Sequence, residues 1–207
     1  VNRAAASAID SGWDPDKPAG AAVLDIGSGT AECAVTTGGG VAIHRSAKTA
    51  GDAMTGQIQR YLREERGVEI GFSTAEQIKK TLACAVMRTE EIAMIAAGKR
   101  VSGEAVNFEI NSTEVRFLLK DCFYELSALV SSTFRDTPPQ LLGDISQNGL
   151  ILTGGSAQIY GLADSLARTL GVPVHVPGDP AMSVVRGIAK AVKKKGDAKN
   201  RIILSER

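Results

Sequence analysis

The chain has 207 residues, of which 43% are apolar, and its formal net charge is +1. An apolar fraction of this size supports a folded domain with a substantial core and excludes a chain that is disordered throughout. The near-neutral charge gives no general argument for nucleic acid, and we expect no such partner. The sequence contains no run of about 18 apolar residues, so it predicts no membrane span.

The three cysteines, Cys33, Cys84 and Cys122, are scattered along the chain. Their number and spacing favour neither a zinc site nor a disulfide framework. We therefore interpret them as small buried residues and expect a cytoplasmic protein.

The first third of the chain predicts a short helix, a meander of three strands and a second helix. The first helix ends at Ser11-Gly12, before a proline-containing linker. Met54, Ile58 and Leu62 recur at helical spacing, and Gly67 closes the helix that they predict. The three antiparallel strands are expected over 21–26, 31–36 and 41–47.

The remainder predicts further helices and strands that suit an α/β fold. Ser73 opens a helix to about residue 85, and a strand pair at 90–97 and 101–110 turns at Gly98-Lys99. A long amphipathic helix then begins at Asn111 or Ser112 and ends before Pro138-Pro139. The last elements are a strand at 149–153, a helix at 157–170, a strand at 172–176 and a helix at 180–194. This order implies a mixed sheet covered by helices.

Two glycine-rich turns, each preceded by an apolar strand, are the main candidates for a binding site. They read Asp25-Ile26-Gly27-Ser28-Gly29-Thr30 and Leu152-Thr153-Gly154-Gly155-Ser156. Turns with few side chains let backbone N–H groups approach an anion closely, and Asp25 offers a carboxylate for magnesium. We predict a nucleotide held between the turns. The alternatives are that Asp25 is a turn or cap residue and that the second turn is only a tight connection from strand to helix.

Together with Gly51-Asp52 and Ala75-Glu76-Gln77-Ile78-Lys79, these turns resemble the ATPases of the actin, sugar kinase and heat-shock chaperone superfamily. Within it, Pro138-Pro139-Gln140-Leu141 and Gly171-Val172-Pro173-Val174 are most similar to the MreB-type bacterial actins. The resemblance covers roughly residues 19–193. It implies the C-terminal half of an actin-like, ribonuclease H-like α/β fold that carries a small α+β insert.

The resemblance also implies a division of the chain. Its parts would be an N-terminal helix and linker (1–18), subdomain IIA (19–69 and 111–195), an inserted subdomain IIB (70–110) and a C-terminal tail (196–207).

ATP and Mg²⁺ are the cofactors that the resemblance implies. Asp25 would lie near the magnesium, through its water shell, and Thr30 would take the catalytic role of orienting the attacking water. Glu76 and Lys79 would face the adenosine, although alone they are ordinary helix-surface residues. The phosphates would be held from two sides, by Gly27, Ser28, Gly29 and Thr30 and by Gly154, Gly155 and Ser156 at the start of a helix.

The implied function is to bind ATP in a cleft between two lobes and to form or modulate cytoskeletal filaments for cell shape or intracellular positioning. The partners would be further copies, associating head to tail, or a full-length actin homologue. Ile92, Met94 and Ile95 on the insert would form one interface, unless they pack beneath the insert's own helix. No membrane-anchoring helix is evident, and we expect no direct membrane anchor.

The resemblance places the first phosphate loop and the acid that polarises the attacking water in a preceding half, and nothing before Asp14 supplies them. We therefore expect weak nucleotide binding and little hydrolysis. Two alternatives stay open: a non-filamentous ATPase of the chaperone or reactivase type, and an inactive fragment that caps filaments.

Overall fold

The computed structural model describes residues 3–14, 19–38 and 40–193. The predicted tail, residues 15–18 of the predicted linker and Gly39 of the hairpin lie outside these ranges. The strands are β1 (Ala21–Ile26), β2 (Ala31–Thr37), β3 (Gly40–Ala47), β4 (Val68–Glu69), β5 (Ala93–Arg100), β6 (Ala105–Asn111), β7 (Leu150–Thr153) and β8 (Val174–His175). The α-helices are α1 (Arg3–Asp10), α2 (Gly51–Arg66), α3 (Phe72–Leu82), α4 (Ser112–Leu118), α5 (Lys120–Arg135), α6 (Pro139–Asn148), α7 (Leu162–Leu170) and α8 (Ser183–Lys193).

The main sheet is mixed and has the strand order β3-β2-β1-β7-β8. β1 is antiparallel to β2 and parallel to β7, with Asp25 opposite Glu32 on one side and Thr153 on the other. The antiparallel meander predicted for the first three strands is therefore confirmed. The parallel pairing has a consequence for function, because it brings the carboxyl ends of β1 and β7 to the same edge of the sheet.

Every residue of β1 is buried, because helices cover both faces of the sheet. On one face Val23 and Ala34 pack against α1. On the other, Leu24 and Ile26 belong to the main core, which α2, α3 and α5 complete. The expectation of a mixed sheet between helices is confirmed.

A second, antiparallel sheet has the order β4-β5-β6. The predicted turn at Gly98-Lys99 is wrong: Lys99 pairs with Ala105, and the hairpin turns at 101–104. Gly103 supplies the positive φ of that turn, +106°, whereas Gly98 lies inside β5 against the Val68 side chain. This sheet begins at Val68, and the division of the chain into subdomains stays a prediction.

Three other expectations need correction. The long helix after Asn111 is two helices, α4 and α5, separated at Leu119. Residues after Pro138 form α6, with Pro139 at its first turn, where a missing N–H costs nothing. The helix expected over 157–170 is a four-residue 3₁₀ turn, Gly155–Gln158, followed by α7.

The cysteines are free thiols in the structure, and all three are buried as expected. Within the described ranges, no helix is both long and apolar enough to cross a bilayer.

Candidate functional site

An open cleft of about 590 Å³ lies at the edge of the main sheet where β1 and β7 end. Six of the predicted site residues line it: Gly27, Ser28, Glu76, Lys79, Gly155 and Ser156. Six further residues, for which the sequence predicts no contact with a ligand, line the same cleft: Gly51, Asp52, Lys80, Gln158, Ile159 and Ala181. Parallel pairing of two strands thus brings the two distant glycine-rich turns together.

Gly51, the first residue of α2, is the point where the walls of the cleft meet. Its N–H donates to the Gly27 carbonyl at 3.0 Å, and the Asp52 N–H donates to the Ser28 carbonyl at 2.8 Å. A Cβ at Gly51 would lie 3.2 Å from the Gly27 oxygen and from Lys79 Nζ, and 3.3 Å from Ser156 Oγ. The first amides of α2 therefore hold the first turn in place, and glycine permits this close approach.

Lys79 and Glu76, one turn apart on α3, form a polar wall of the cleft. The ammonium of Lys79 is buried and donates to the Gly51 carbonyl at 2.8 Å and to Glu76 Oε2 at 2.6 Å. The Thr55 hydroxyl donates to the same carboxylate oxygen. Although burial alone would raise the pKa of Glu76, the hydrogen bonds from Lys79 and Thr55 bring it below its usual value. The pair is therefore charged and held in position.

Residues of both turns line the cleft with their backbone. A Cβ added at Gly155 would meet nothing within 4 Å, so there is room for a ligand directly against the backbone there; Gly29 also borders open space but does not line the cleft. In the described part of the chain, the Ser28 and Gly29 amides have no protein acceptor. Gly155 and Ser156 begin the 3₁₀ turn, where amides have no partner within the turn. Such amides suit the oxygens of a phosphate.

Gly27 and Gly154 contribute differently, because the protein itself uses their amides. The Gly27 N–H donates to the Thr30 carbonyl at 3.0 Å, and the Gly154 N–H donates to the Pro180 carbonyl at 2.9 Å. Gly154 has φ of +87°, and a Cβ there would lie 2.2 Å from the Ile26 oxygen. These glycines shape the two turns. The expected help from a helix dipole at this second turn is absent, because a four-residue 3₁₀ turn follows it.

Asp25 and Thr30 lie beside the cleft, in contact with an arginine that the sequence did not single out. Arg3 Nη2 donates to Asp25 Oδ2 at 2.5 Å, and Arg3 Nη1 donates to Thr30 Oγ1 and to Glu32 Oε1, each at 3.3 Å. The Thr153 hydroxyl donates to the other oxygen of Asp25 at 3.1 Å. Burial raises the pKa of the Asp25 carboxyl, and the attraction of Arg3 offsets this only in part.

The residues around Asp25 do not fit a magnesium ion that is bound directly by this carboxylate. Both carboxylate oxygens of Asp25 already accept hydrogen bonds, and an arginine cation lies against one of them. Across the described residues, no group of three or more acidic, histidine or cysteine side chains is placed to hold a metal. The prediction that Asp25 lies near magnesium through its water shell stays a prediction, but Arg3 occupies one Asp25 oxygen that such a water would use.

Arg3 was missed because it lies 22 positions before Asp25 and starts a helix that otherwise reads as an alanine-rich end. One signal was present in the sequence: Arg3 is the only charged residue in Arg3-Ala4-Ala5-Ala6-Ser7-Ala8, a stretch whose alanines are fully buried. A lone charge on such a helix needs either solvent or a partner.

Comparison with protein families matches residues 1–200 to the model described as MreB/Mbl protein. The cell shape-determining protein MreB of Escherichia coli (strain K12) is 34% identical over 189 residues, which cover 91% of this chain and 54% of that protein. The cell shape-determining protein Mbl of Bacillus subtilis (strain 168) is 37% identical over 183 residues, 87% of this chain and 55% of that protein. The chain thus spans about half the length of these relatives.

Solved structures give the same picture of the fold. MreB5 of Spiroplasma citri bound to AMPPNP superposes with a TM-score of 0.88 at 32% identity, covering 93% of this chain and 59% of that one. A MamK double helical filament superposes with a TM-score of 0.75 at 17% identity, covering 93% of this chain and 59% of that one, a likeness of fold. The predicted actin-like α/β fold is confirmed.

Proposed function

The chain belongs to the MreB/Mbl family, and from this premise we propose that it binds an adenine nucleotide in the cleft and takes part in actin-like filaments that organise cell shape. One observation carries the nucleotide part: two glycine-rich turns line one cleft, with room for a ligand against the backbone of Gly155. A relative, MreB5 of Spiroplasma citri, has been solved bound to AMPPNP and to ADP. Its likeness to this chain supports the same class of ligand here.

In this proposal the phosphates lie between the two turns. The free amides of Ser28 and Gly29 donate from one side, and those of Gly155 and Ser156 donate from the other. Backbone amides in a concave turn suit a polyphosphate, because each donates without the entropy cost of ordering a side chain. Lys80 adds a positive charge at the rim of the cleft, where its side chain is 71% exposed.

The nucleoside lies along α3 in this proposal, as the resemblance implies. Glu76 is kept charged by Lys79 and Thr55, so its carboxylate suits hydroxyl or amino donors of a ribose or base. Ile159 supplies an apolar contact on the opposite wall. Buried Lys79 is a positioning residue, because its ammonium joins Glu76 to the Gly51 carbonyl.

Calorimetric titration of the 207-residue chain with ATP tests the nucleotide part. The informative variant is Gly155→Val, since its Cβ would enter open space in the cleft with no protein atom within 4 Å. We expect its affinity to fall at least tenfold, a loss of about 1.4 kcal/mol. Gly178→Val is the matched control, because Gly178 also has open space but is not among the residues that line the cleft. Unchanged binding in Gly155→Val, or no binding by the wild type, would contradict this location of the nucleotide.

A further inference from the structure

The Arg3 guanidinium lies at the end of β1, where a phosphate-binding turn and an acidic side chain meet. It contacts oxygens of three residues: Asp25 at 2.5 Å, and Thr30 and Glu32 at 3.3 Å each. It also lies against the turn itself, because a Cβ at Gly27 would be 2.8 Å from Arg3 Nη2. Arg3 is thus the cation of this corner of the site.

Both acidic side chains of this corner share one cationic partner. Asp25 is 1% exposed and Glu32 is 19% exposed, and both are ion-paired with the same guanidinium. A divalent ion bound by Asp25 would have to displace a guanidinium from a buried carboxylate. That displacement is costly, since a buried charge that loses its partner keeps the desolvation penalty without the compensating attraction.

Arg3 also keeps some capacity to bind a ligand. A guanidinium has five N–H donors, and the contacts to Asp25, Thr30 and Glu32 use three of them. The side chain is 38% exposed, so part of it is open to the solvent beside the phosphate turn. Arginine is well suited to phosphate oxygens, because its planar donors match their geometry.

From these contacts we propose that Arg3 takes the place of the divalent cation, so that this chain binds nucleoside phosphates without a metal. The proposal rests on the nucleotide function proposed above and specifies which cation of the protein lies beside the phosphates. Asp25 then acts as the residue that positions Arg3. Nucleotide binding by this chain accordingly does not require magnesium.

The test is calorimetric titration with ATP in excess Mg²⁺ and in a chelator, for the wild type and two variants. Because ATP in excess Mg²⁺ is largely the Mg²⁺ complex, we expect the wild-type affinity to be at least as high in chelator as in Mg²⁺. Arg3→Gln removes the guanidinium and frees the Asp25 carboxylate, so its affinity in chelator should fall at least tenfold and recover in part with Mg²⁺. Arg3→Lys keeps a cation and should likewise bind at least as tightly in chelator as in Mg²⁺. Arg45→Gln is the control, since Arg45 pairs with Asp136 on an exposed surface.

Each result decides the proposal. A tenfold or greater loss of wild-type affinity in chelator would overturn it while leaving the nucleotide function intact. If Arg3→Gln bound ATP in both media as tightly as the wild type does, the proposed role of Arg3 would be overturned. No ATP binding by any variant in either medium would remove the nucleotide function and this proposal with it.

A second readout avoids dependence on affinity alone. Electron paramagnetic resonance of Mn²⁺ added with ATP should report protein-bound metal in Arg3→Gln and none in the wild type. Thermal unfolding of Arg3→Gln shows whether the variant is folded. Should it unfold, Arg3→Lys decides, because bound Mn²⁺ in that variant or in the wild type would overturn the proposal.

Discussion

Gly154 shows how one residue determines the shape of a turn without lining the cleft that the turn helps to form. Its φ of +87° with ψ of +166° belongs to a region that glycine alone occupies readily. The Ile26 backbone lies directly beneath its α-carbon. The two glycine-rich turns are therefore packed backbone against backbone, and this contact sets their separation.

We predict that Gly154→Ala destabilises the chain by roughly 2–4 kcal/mol, because the new methyl group would be forced into the Ile26 carbonyl and the backbone would be strained. Gly155→Ala is the matched control, since a Cβ there meets nothing within 4 Å and φ is not positive. Its stability should change by less than about 0.5 kcal/mol. Chemical denaturation of both variants measures the difference, and equal stabilities would show that the turns can separate at little cost.

At the scale of single residues, the sequence was a good guide to chemistry near the turns and a poor one to distant partners. Ser28, Glu76 and Ser156 were all expected near a nucleotide, and the structure brings them to one cleft. The lone charge of Arg3 was visible in the sequence, but its partner Asp25 was not, because that contact depends on where α1 packs beneath the sheet. The same holds for Gly154, whose role was expected at the ligand. Local pattern predicts which groups a turn offers, but tertiary packing decides which of them the protein itself uses.

The pairing of α1 with α8 is the contact between elements that places Arg3. The two helices approach so closely that a Cβ on Gly187 would lie 1.8 Å from the Ala6 oxygen. At the end of α1, the carboxylate of Asp10 is 4% exposed and accepts hydrogen bonds from Arg186 Nε at 3.0 Å and Lys190 Nζ at 2.8 Å. Although burial alone would raise the pKa of Asp10, these two cations bring it below its usual value.

We predict that Asp10→Asn lowers the thermal unfolding temperature at neutral pH, because Arg186 and Lys190 lose their shared carboxylate. A lowered pKa in the folded state means that this contribution is complete above the ordinary value of 3.8 and disappears as pH falls below it. The difference between wild type and variant should therefore shrink below about pH 4. Melting curves across this range measure it.

Asp136→Asn serves as the control for Asp10→Asn, since Asp136 is 46% exposed in its pair with Arg45 and should matter little. A difference between wild type and Asp10→Asn that persisted unchanged to the lowest pH would mean that packing, not charge, accounts for the loss.

The prediction of secondary structure was correct where one local sequence signal dominated, and it was wrong where two signals competed. The strands around the first turn were located correctly, because glycines bound each apolar run. The sequence predicts only the end of a helix at Pro138-Pro139, yet Pro139 also begins α6. The sequence also predicts a turn at Gly98, but Gly98 lies inside β5, where the residues around Val68 leave no room for a Cβ. Such choices depend on contacts between elements, which a local pattern does not contain.

At the scale of the whole molecule, the antiparallel second sheet presents one face to the solvent. Along β5 the exposure alternates: Ala96 is buried and Ile95 is 72% exposed. Of the three residues expected at an interface, Met94 packs against the core and Ile92 is 38% exposed. Ile95 is thus the most exposed of these three apolar side chains.

We predict that Ile95→Lys weakens self-association of the chain, provided that the second sheet forms a head-to-tail contact as the resemblance implies. Burying an isoleucine at an interface contributes about 1.5–3 kcal/mol, so its replacement by a charge should raise the critical concentration at least tenfold. Sedimentation at increasing protein concentration measures this. Val185→Lys on α8 is the matched control, since Val185 is also exposed, at 56%, but lies on a different element.

The two variants together locate the contact. If only Ile95→Lys loses sedimentation, the filament contact lies on the second sheet. A head-to-tail contact joins two different surfaces, so a specific patch is needed on each partner. Loss in Val185→Lys alone would move it to α8, next to the helix that carries Arg3. Equal sedimentation of both variants and the wild type would contradict a filament contact at either surface. Because Ile95 does not line the cleft, its replacement should leave ATP affinity unchanged, which separates assembly from nucleotide binding.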